Sequence, residues 1–566
     1  MSAVSKLKAK LDARDTADII QYPASKAGGE NAGERIVVPV DVAQEVEAAV
    51  NGQQADKAQQ SLSQVIATLN CAQDQYGGFV VSAPIGQRVE TVHIDSAVGD
   101  DVIREVMKVA SGKMPPKSLM DNIKAELRIS ARNTGRQLIT RRRVACVEGG
   151  YTIDLGDATG RVVKISNGQW EVAGGGDIAF IRQRGYAALP EPVRPKSVRH
   201  GLALLLQLVE RLGVPKSRAA LVVILLVCWL KEGVTYPVLA LYGAPGGGKS
   251  TAALQLLMLV DPPASGQLPN IAQSVEHITA AAQARHILTI DNASRFSAEL
   301  QDILCTCSTG GEILQRQLYT NGEVVVLPIH RGVMVTSVSP VITRPDLMSR
   351  TIPVEFTPRE DRRSVTELMG EFNAHSSQLF GALVELVAAS TAPLEGEDSQ
   401  GHRLHDFCIA GQRVFAAAGL EPSQFMDLMN RMRASTGAEI ASGDSFVTTV
   451  RKALDELATH AKDGETLPGW KTWFPTGYAA VRRADGHVVI GVRPKGLFAL
   501  IRGAIAPINT DGWMPGNERQ MGDALLRSTP IFSDVSINVT KREPSSGNSY
   551  WEFTLRDGQA GTVVYA

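Results

Sequence analysis

Residues Leu241–Val260 read LYGAPGGGKSTAALQLLMLV: a strand end, a glycine loop and an apolar helix in succession. Gly243, Ala244, Pro245, Gly246, Gly247, Gly248, Lys249 and Ser250 satisfy the pattern G-x-x-x-x-G-K-[ST] in full. Glycines let several backbone N–H groups converge on phosphate oxygens with no side chain in the way. The helix that follows, through Ser250 and Thr251, aims its positive end at the same anion. Lys249 is then placed to reach the β and γ phosphates, and the Ser250 hydroxyl to ligate magnesium. ATP and Mg2+ are the expected cofactors. The other reading, a glycine turn that binds nothing, leaves the apolar strand before it and the helix after it unexplained.

Such a cradle needs a second group to orient the metal, and HILTIDN (286–292) offers Asp291 at a strand end. The distance along the chain admits one helix and a crossover. Asp291 could instead cap the next helix, SAELQDIL, but Asn292 or Ser294 can do that equally well. That leaves Asp291, with Ser250, for the metal. Asn292 stands where many ATPases place a glutamate that activates water, so no general base is assigned; Glu312 is a distant candidate. A GTPase reading lacks an NKxD motif. A transporter-type reading fails on order, because STGGE (308–312) follows Asp291 rather than preceding it.

Downstream, RQLYTNGEVVVL (316–327) places Asn-Gly between two β-prone arms and predicts a hairpin. GVMVTS (332–337) predicts a buried strand ending in polar Thr336 and Ser337, the place for a residue that senses the γ phosphate. RPDLMSR presents Arg344 and Arg350 just before a last strand, TIPVEF. An arginine there can neutralise phosphate charge in a neighbouring subunit; the alternative for Arg350 is a pair with Asp346, four residues away.

This order resembles that of AAA+ ATPases, and among them the phage- and plasmid-borne superfamily III helicase-like proteins, including helicase parts of mobile-element primase-helicases. LYGAPGGGKSTAALQLLMLVDPP, LTIDNASRF, LQRQLYTNGEVVV and RPDLMSRTIPVEF carry the resemblance. YTIDLGDATGRVVKISNGQWEV and FIRQRGYAALPEP resemble the segment that precedes the ATPase in those proteins. The resemblance spans roughly 143–356 and leaves the first 120 residues unmatched. It implies a homo-oligomeric, hexameric ring that hydrolyses ATP to move DNA. Lys249, Asp291, Asn292, Thr336, Arg344 and Arg350 would form the catalytic set. In that family the hairpin is expected to present a basic or aromatic tip to DNA. Here the tip is Thr320-Asn321-Gly322-Glu323, whose acid repels phosphate; Arg316 and Tyr319 on the arm are the candidate substitutes.

The rest of the chain frames this core. Its 566 residues carry 58 basic and 59 acidic side chains, so any DNA contact comes from local patches rather than a global basic field. None of the six cysteines has CxxC spacing; Cys305 and Cys307 are expected to be buried structural thiols. The N-terminus lacks a signal-peptide core, and the apolar run 219–230 is too short to span a bilayer, so a buried helix, a cytoplasmic location and no membrane partner are expected. The basic run TRRRVA (140–145) reads as a solvated strand edge.

The expected fold is multidomain α/β, with a central AAA+ parallel-sheet core carrying the P-loop. Its divisions are 1–130 (mixed), 131–195 (small β-rich), 196–235 (helical connector), 236–358 (ATPase core), 359–465 (helical) and 466–566 (winged-helix-like). In the last, two helix patterns precede two strands joined by KREPSSGNS. Arg519 and Arg527 on the second helix, and Lys541 and Arg542 at the wing, are the DNA candidates. Two functions fit: an ATP-driven DNA motor of a mobile element acting in replication, or an AAA+ switch or scaffold, for example in anti-phage defence, that binds ATP without unwinding DNA.

Overall fold

The computed structural model describes residues 69–86, 88–111, 114–175, 178–183, 185–316, 324–357, 364–443, 446–447, 449–451, 453–454, 479–484, 487–492, 497, 517–534, 537–542 and 550–556. Of the expected 1–130 division, residues 1–68 lie outside them. The described residues up to Val341, with Arg350–Phe425, form one compact unit; Ile342–Ser349, with those from Met426 on, form a second.

The first unit begins with β1 (Asn70–Asp74), β2 (Phe79–Ile85), β3 (Arg88–His93) and β4 (Gln137–Leu138), in the order β3-β2-β1-β4. Between β3 and β4 run the helices Ala97–Ser111 and Lys117–Thr134. Val102, Ile103, Val106 and Met107 on one, and Met120, Ile123, Leu127 and Ala131 on the other, recur at helical spacing and bury against the strands.

β5 (Thr140–Arg141) leads into an antiparallel meander of β6 (Val144–Val147), β7 (Gly150–Asp154), β8 (Arg161–Ser166) and β9 (Gln169–Gly174); β10 (Ala179–Phe180) returns parallel to β5. Asn167 and Gly168 join β8 to β9 with φ of 48° and 78°. Both are positive, as a type I′ hairpin turn requires.

The basic run is not a solvated edge. Arg143 is buried and donates to the carbonyls of Asp154 and Ala187 and, at 3.3 Å, to the Asp261 carboxylate. Arg141 pairs with Glu232 at 2.6 Å. These acids follow 118 and 91 residues later, so a local reading of the run misses them. The second Asp261 oxygen accepts from the backbone of His286 and Ile287.

Ser197 caps the helix Val198–Leu212, and Lys216–Trp229 follows. Ala219 to Leu230 is apolar on every side and buried throughout, as expected of a core helix. No single helix among the described residues is long and apolar enough to cross a membrane; these two pass that test only as a pair, and the pair is bent by 119°.

The central sheet is made of β11 (Val238–Gly243), β12 (Ile287–Ala293), then, after the hairpin β13 (Gly311–Arg316) and β14 (Val324–Ile329), β15 (Gly332–Ser337) and β16 (Thr351–Phe356). All four sheet strands run parallel in the order β12-β15-β11-β16. Their near-continuous apolar sequences fit a sheet buried on both faces. The outer edge of β12 is covered by 269–271, where Ile271 donates to the Thr289 carbonyl and the Thr289 hydroxyl to that of Pro269. Helices Val365–Ala389, His405–Ala417 and Pro422–Gly443 follow, the first opened by a Ser364–Glu367 capping box.

In the second unit β17 (Ala479–Ala484), β18 (His487–Val492), β19 (Asn538–Arg542) and β20 (Tyr550–Arg556) form one antiparallel sheet, β17-β18-β20-β19. The helix Glu518–Asp534 packs on it, with Phe532 edge-on to Phe553. The two strands expected as a wing, β19 and β20, thus belong to a four-stranded sheet. The first expected helix, 493–506, lies outside the described residues except Leu497, as does the loop 543–549.

His286 gives the first unit a pH dependence. Burial pushes its imidazole down from 6.5 to about 4, against the pull of Asp261 and with the help of Arg331 and Arg143, while Nε2 bonds the Trp229 carbonyl. The folded pKa lies below the unfolded one, so this contribution is present above pH 6.5 and lost as pH falls toward about 4. That gap is worth roughly 3 kcal/mol. Unfolding of His286→Gln, measured between pH 7 and 4, is expected to be flatter by about one proton than that of the wild type; an unchanged slope contradicts the assignment.

Candidate nucleotide site

β11 delivers the chain into the glycine loop at the carboxyl edge of the sheet. Gly243 has φ 138°, and a Cβ there would stand 2.1 Å from the Phe356 carbonyl oxygen, so no larger residue fits. Gly248, at φ 83°, is the N-cap of the helix Lys249–Met258. The Lys249 side chain folds back along the loop, donating from Nζ to the carbonyls of Gly243 at 2.8 Å and Ala244 at 2.9 Å. Partial burial draws its pKa below the ordinary lysine value, against the opposing charge of Asp291.

Three side chains meet beside it. The Ser250 hydroxyl donates to Asp291 Oδ1 at 2.8 Å, and the Thr336 hydroxyl donates to the same oxygen at 2.5 Å. Asn292 donates its backbone N–H to Thr336 Oγ1 at 2.9 Å and its amide to Asp291 Oδ2 at 3.2 Å. Asn292 is left-handed, with φ 55°, a conformation that asparagine tolerates better than most residues. Ser250, Asp291, Asn292 and Thr336 come from the loop helix, β12 and β15, all at the carboxyl ends of parallel strands, where open α/β sheets hold their ligands. The next helix is capped by Ser297, whose hydroxyl accepts from Leu300. Neither Asp291 nor the expected Asn292 or Ser294 caps it.

A cavity of about 970 Å³ opens here, lined by the loop from Pro245 to Thr251 and by Asn292. Its far wall carries Arg211, Glu371, Phe372 and His375. These were not among the expected residues: they lie on helices flanking the core and belong to no local motif. Glu312, on the hairpin, does not line this cavity.

Other expected residues lie elsewhere. Arg350 accepts, through its carbonyl, from the Val238 N–H at 2.9 Å, so it stands at the amino ends of β11 and β16. The glycine loop leaves the carboxyl end of β11, about 17 Å along a six-residue strand. Arg344 is the N-cap of the short helix Pro345–Met348 in the second unit. Arg316 ends β13 opposite Val324; Tyr319 and the tip Thr320–Glu323 lie outside the described residues. In the second unit Arg519 and Arg527 belong to the helix Glu518–Asp534, Arg519 exposed, and Lys541 and Arg542 are exposed on β19. Arg542 is paired with Glu552 at 2.9 Å. Of the expected buried thiols, Cys307 is buried, which pushes it up to about 12, but Cys305 is only half-buried.

The fold is mixed α/β with a parallel sheet, and the glycine loop, lysine, serine, aspartate and threonine gather at its carboxyl edge. Residues 203–433 match the family described as actinomycete integrative conjugative element replication protein, and over that stretch the chain is similar to replication proteins of a mobile element. The match begins after the β meander, which the sequence resemblance included, and continues through the helices beyond the sheet. Among solved structures, the chain is similar to the SCCmec type IV Cch active helicase, at 12% identity over 87% of this chain and 94% of that one, with a TM-score of 0.42. It is also similar to the apo C-terminal region of NrS-1, at 11% identity over 88% and 98%, with a TM-score of 0.36. The JCV helicase aligns at 14% identity over 40% and 65%, with a TM-score of 0.21. No curated protein sequence matches the chain.

Proposed function

We propose that this protein is an ATP-hydrolysing ring motor of a mobile genetic element, acting on DNA during replication in the cytoplasm. The observation that carries the reading is the meeting of Ser250, Asp291 and Thr336 through shared hydrogen bonds, next to a glycine loop whose residues Pro245–Thr251, Lys249 and Ser250 among them, line a cavity. Ser250 and Asp291 are hard oxygen donors already 2.8 Å apart, which suits magnesium, an ion that takes few protein ligands beside phosphate. Among the described residues no cluster of three or more His, Cys, Asp or Glu suggests a different metal. Bound magnesium neutralises charge on the β and γ oxygens.

Lys249 exchanges two neutral carbonyl partners for phosphate oxygens, a stronger charge-assisted bond. Thr336 holds Asp291 in place and stands where a γ phosphate can be sensed. Asn292 orients water by hydrogen bonding but takes no proton. Arg350, at the opposite strand end from its own loop, serves the loop of a neighbour; a contact repeated by rotation closes a ring, here a hexamer. The core is thus an AAA+ sheet of the superfamily III kind. The C-terminal helix and sheet act as a winged-helix-like DNA contact through Arg519, Arg527, Lys541 and Arg542, with Arg316 and Tyr319 on the hairpin.

Asp291→Ala is expected to keep nucleotide affinity within about tenfold while removing magnesium-dependent hydrolysis, since the carboxylate acts on the metal rather than on the loop. Nucleotide titration beside phosphate release checks this; an unfolded variant would mean that the carboxylate is structural.

The acid at the hairpin tip favours a second reading, an AAA+ switch or scaffold, for example in anti-phage defence, in which ATP sets assembly. A strand-displacement assay separates the two. The motor unwinds a forked duplex only with ATP and not as Lys249→Ala; ATP turnover without displacement supports the switch.

A further inference from the structure

A second cavity, of about 220 Å³, lies between β3, the basic run, β7 and the segment after β10. Its charged lining is four arginines, Arg88, Arg142, Arg143 and Arg182, against two carboxylates, Glu90 and Asp154. Arg88 pairs with Glu90 at 2.9 Å, Arg182 grips Asp154 with two nitrogens at 2.6 and 3.0 Å, and Arg143 is held by Asp261. Among the described residues, no carboxylate within ion-pair distance remains for Arg142, whose one bond is a 3.4 Å contact to the Gln283 amide oxygen.

The donors matter more than the charge count. Arg88 Nε, Arg142 Nη1, Arg143 Nε and the Tyr186 hydroxyl are all buried, all belong to residues lining this cavity, and have no hydrogen-bond partner among the described residues. Arg143 itself is 2% exposed. A buried donor without an acceptor is costly, and a buried cation without a counter-charge more so. Four in one cavity make a constellation of donors that lacks an acceptor. Burial, with the charge of Arg331, pulls the Arg142 guanidinium down to about 10. Arg143 and Arg285 lie over the Tyr186 ring at 4.9 and 5.6 Å, which fixes the ring and its hydroxyl.

We propose that this cavity is a binding site for a phosphate-type oxyanion, separate from the nucleotide cavity. Its volume falls below the roughly 300–1,000 Å³ of sites for drug-sized molecules, so it suits a single phosphate group, free or at the end of a nucleotide. The anion accepts from Arg142 and Arg143, with Arg88 and Tyr186 completing its shell. Through Arg143 and Asp261 it is linked to the amino end of β12, the strand that ends in the Asp291 site.

The test uses the full chain carrying Lys249→Ala, so that binding at the glycine loop is weakened and the result does not depend on ATP turnover. Inorganic phosphate and AMP are titrated calorimetrically into this protein and into the same protein with Arg142→Gln or Tyr186→Phe added. Phosphate is expected to bind, about tenfold or more weaker with Arg142→Gln and several-fold weaker with Tyr186→Phe, which removes one hydroxyl and keeps the ring. Phosphate should also raise the melting temperature, and Arg142→Gln should remove that rise without lowering the melting temperature in its absence, because it deletes an uncompensated cation. Tighter binding of AMP with the same dependence identifies a nucleotide as the source, and tighter binding of phosphate identifies the free ion. Equal affinity in all three proteins, or no binding of either probe at millimolar concentration, overturns the proposal.

Discussion

Lys249→Ala is expected to lower ATP turnover by a hundred- to a thousandfold or more while leaving the fold intact. Removing a single preorganised donor from developing transition-state charge has a cost of about this size. The loop does not depend on the lysine for its shape: Gly243 is fixed by its close approach to the Phe356 carbonyl, and Gly248 by its left-handed backbone. The two carbonyls that Lys249 now caps, those of Gly243 and Ala244, stay open to water in the variant. Circular dichroism should therefore match the wild type while phosphate release collapses. Turnover at the wild-type rate would remove Lys249 from the chemistry.

Arg350→Ala is expected to bind ATP near-normally yet lose about a thousandfold or more in turnover, the usual contribution of an arginine finger. Arg350 lies beside Val238 at the amino end of β11, and the loop leaves that strand at Gly243. Within one chain the two face opposite edges of the sheet; in a ring, the arginine edge of one subunit meets the loop edge of the next. Mixing Arg350→Ala with Lys249→Ala subunits should then restore part of the activity, because one kind of interface has both residues intact. A mixture that stays inactive, or a wild type equally active as a dilute monomer, contradicts a shared site.

How much of this is legible in the sequence depends on how far apart the interacting residues lie. The glycine loop is written in consecutive residues, and β11, β12, β15 and β16 are short apolar runs with turn signals around them. Asp291 and Thr336 stand at the ends of such runs, and their proximity to Ser250 follows once the strands are parallel neighbours. The Arg143–Asp261 pair is different. Its partners are 118 residues apart, and a run of three arginines looks like surface until the acid is placed behind it. The cavity wall of Arg211 and His375 is invisible for the same reason, since packing between helices, not spacing along the chain, brings them to the loop. In the N-terminal sheet the helices carry clear apolar spacing, but the strands they cover come from both sides of them in sequence. At the other end, the two strands around KREPSSGNS are legible as β-prone runs, yet the pairing of Tyr550–Arg556 with His487–Val492 as well is a tertiary choice.

The central expectation for this protein is that the Lys249–Ser250–Asp291–Thr336 site hydrolyses ATP in the service of DNA. Phosphate release by the full chain with magnesium, measured with and without single-stranded DNA, tests it directly. The predicted result is magnesium-dependent turnover that rises several-fold with DNA and disappears in Lys249→Ala; the absence of turnover in the wild type, or turnover indifferent to both DNA and Lys249, would contradict it.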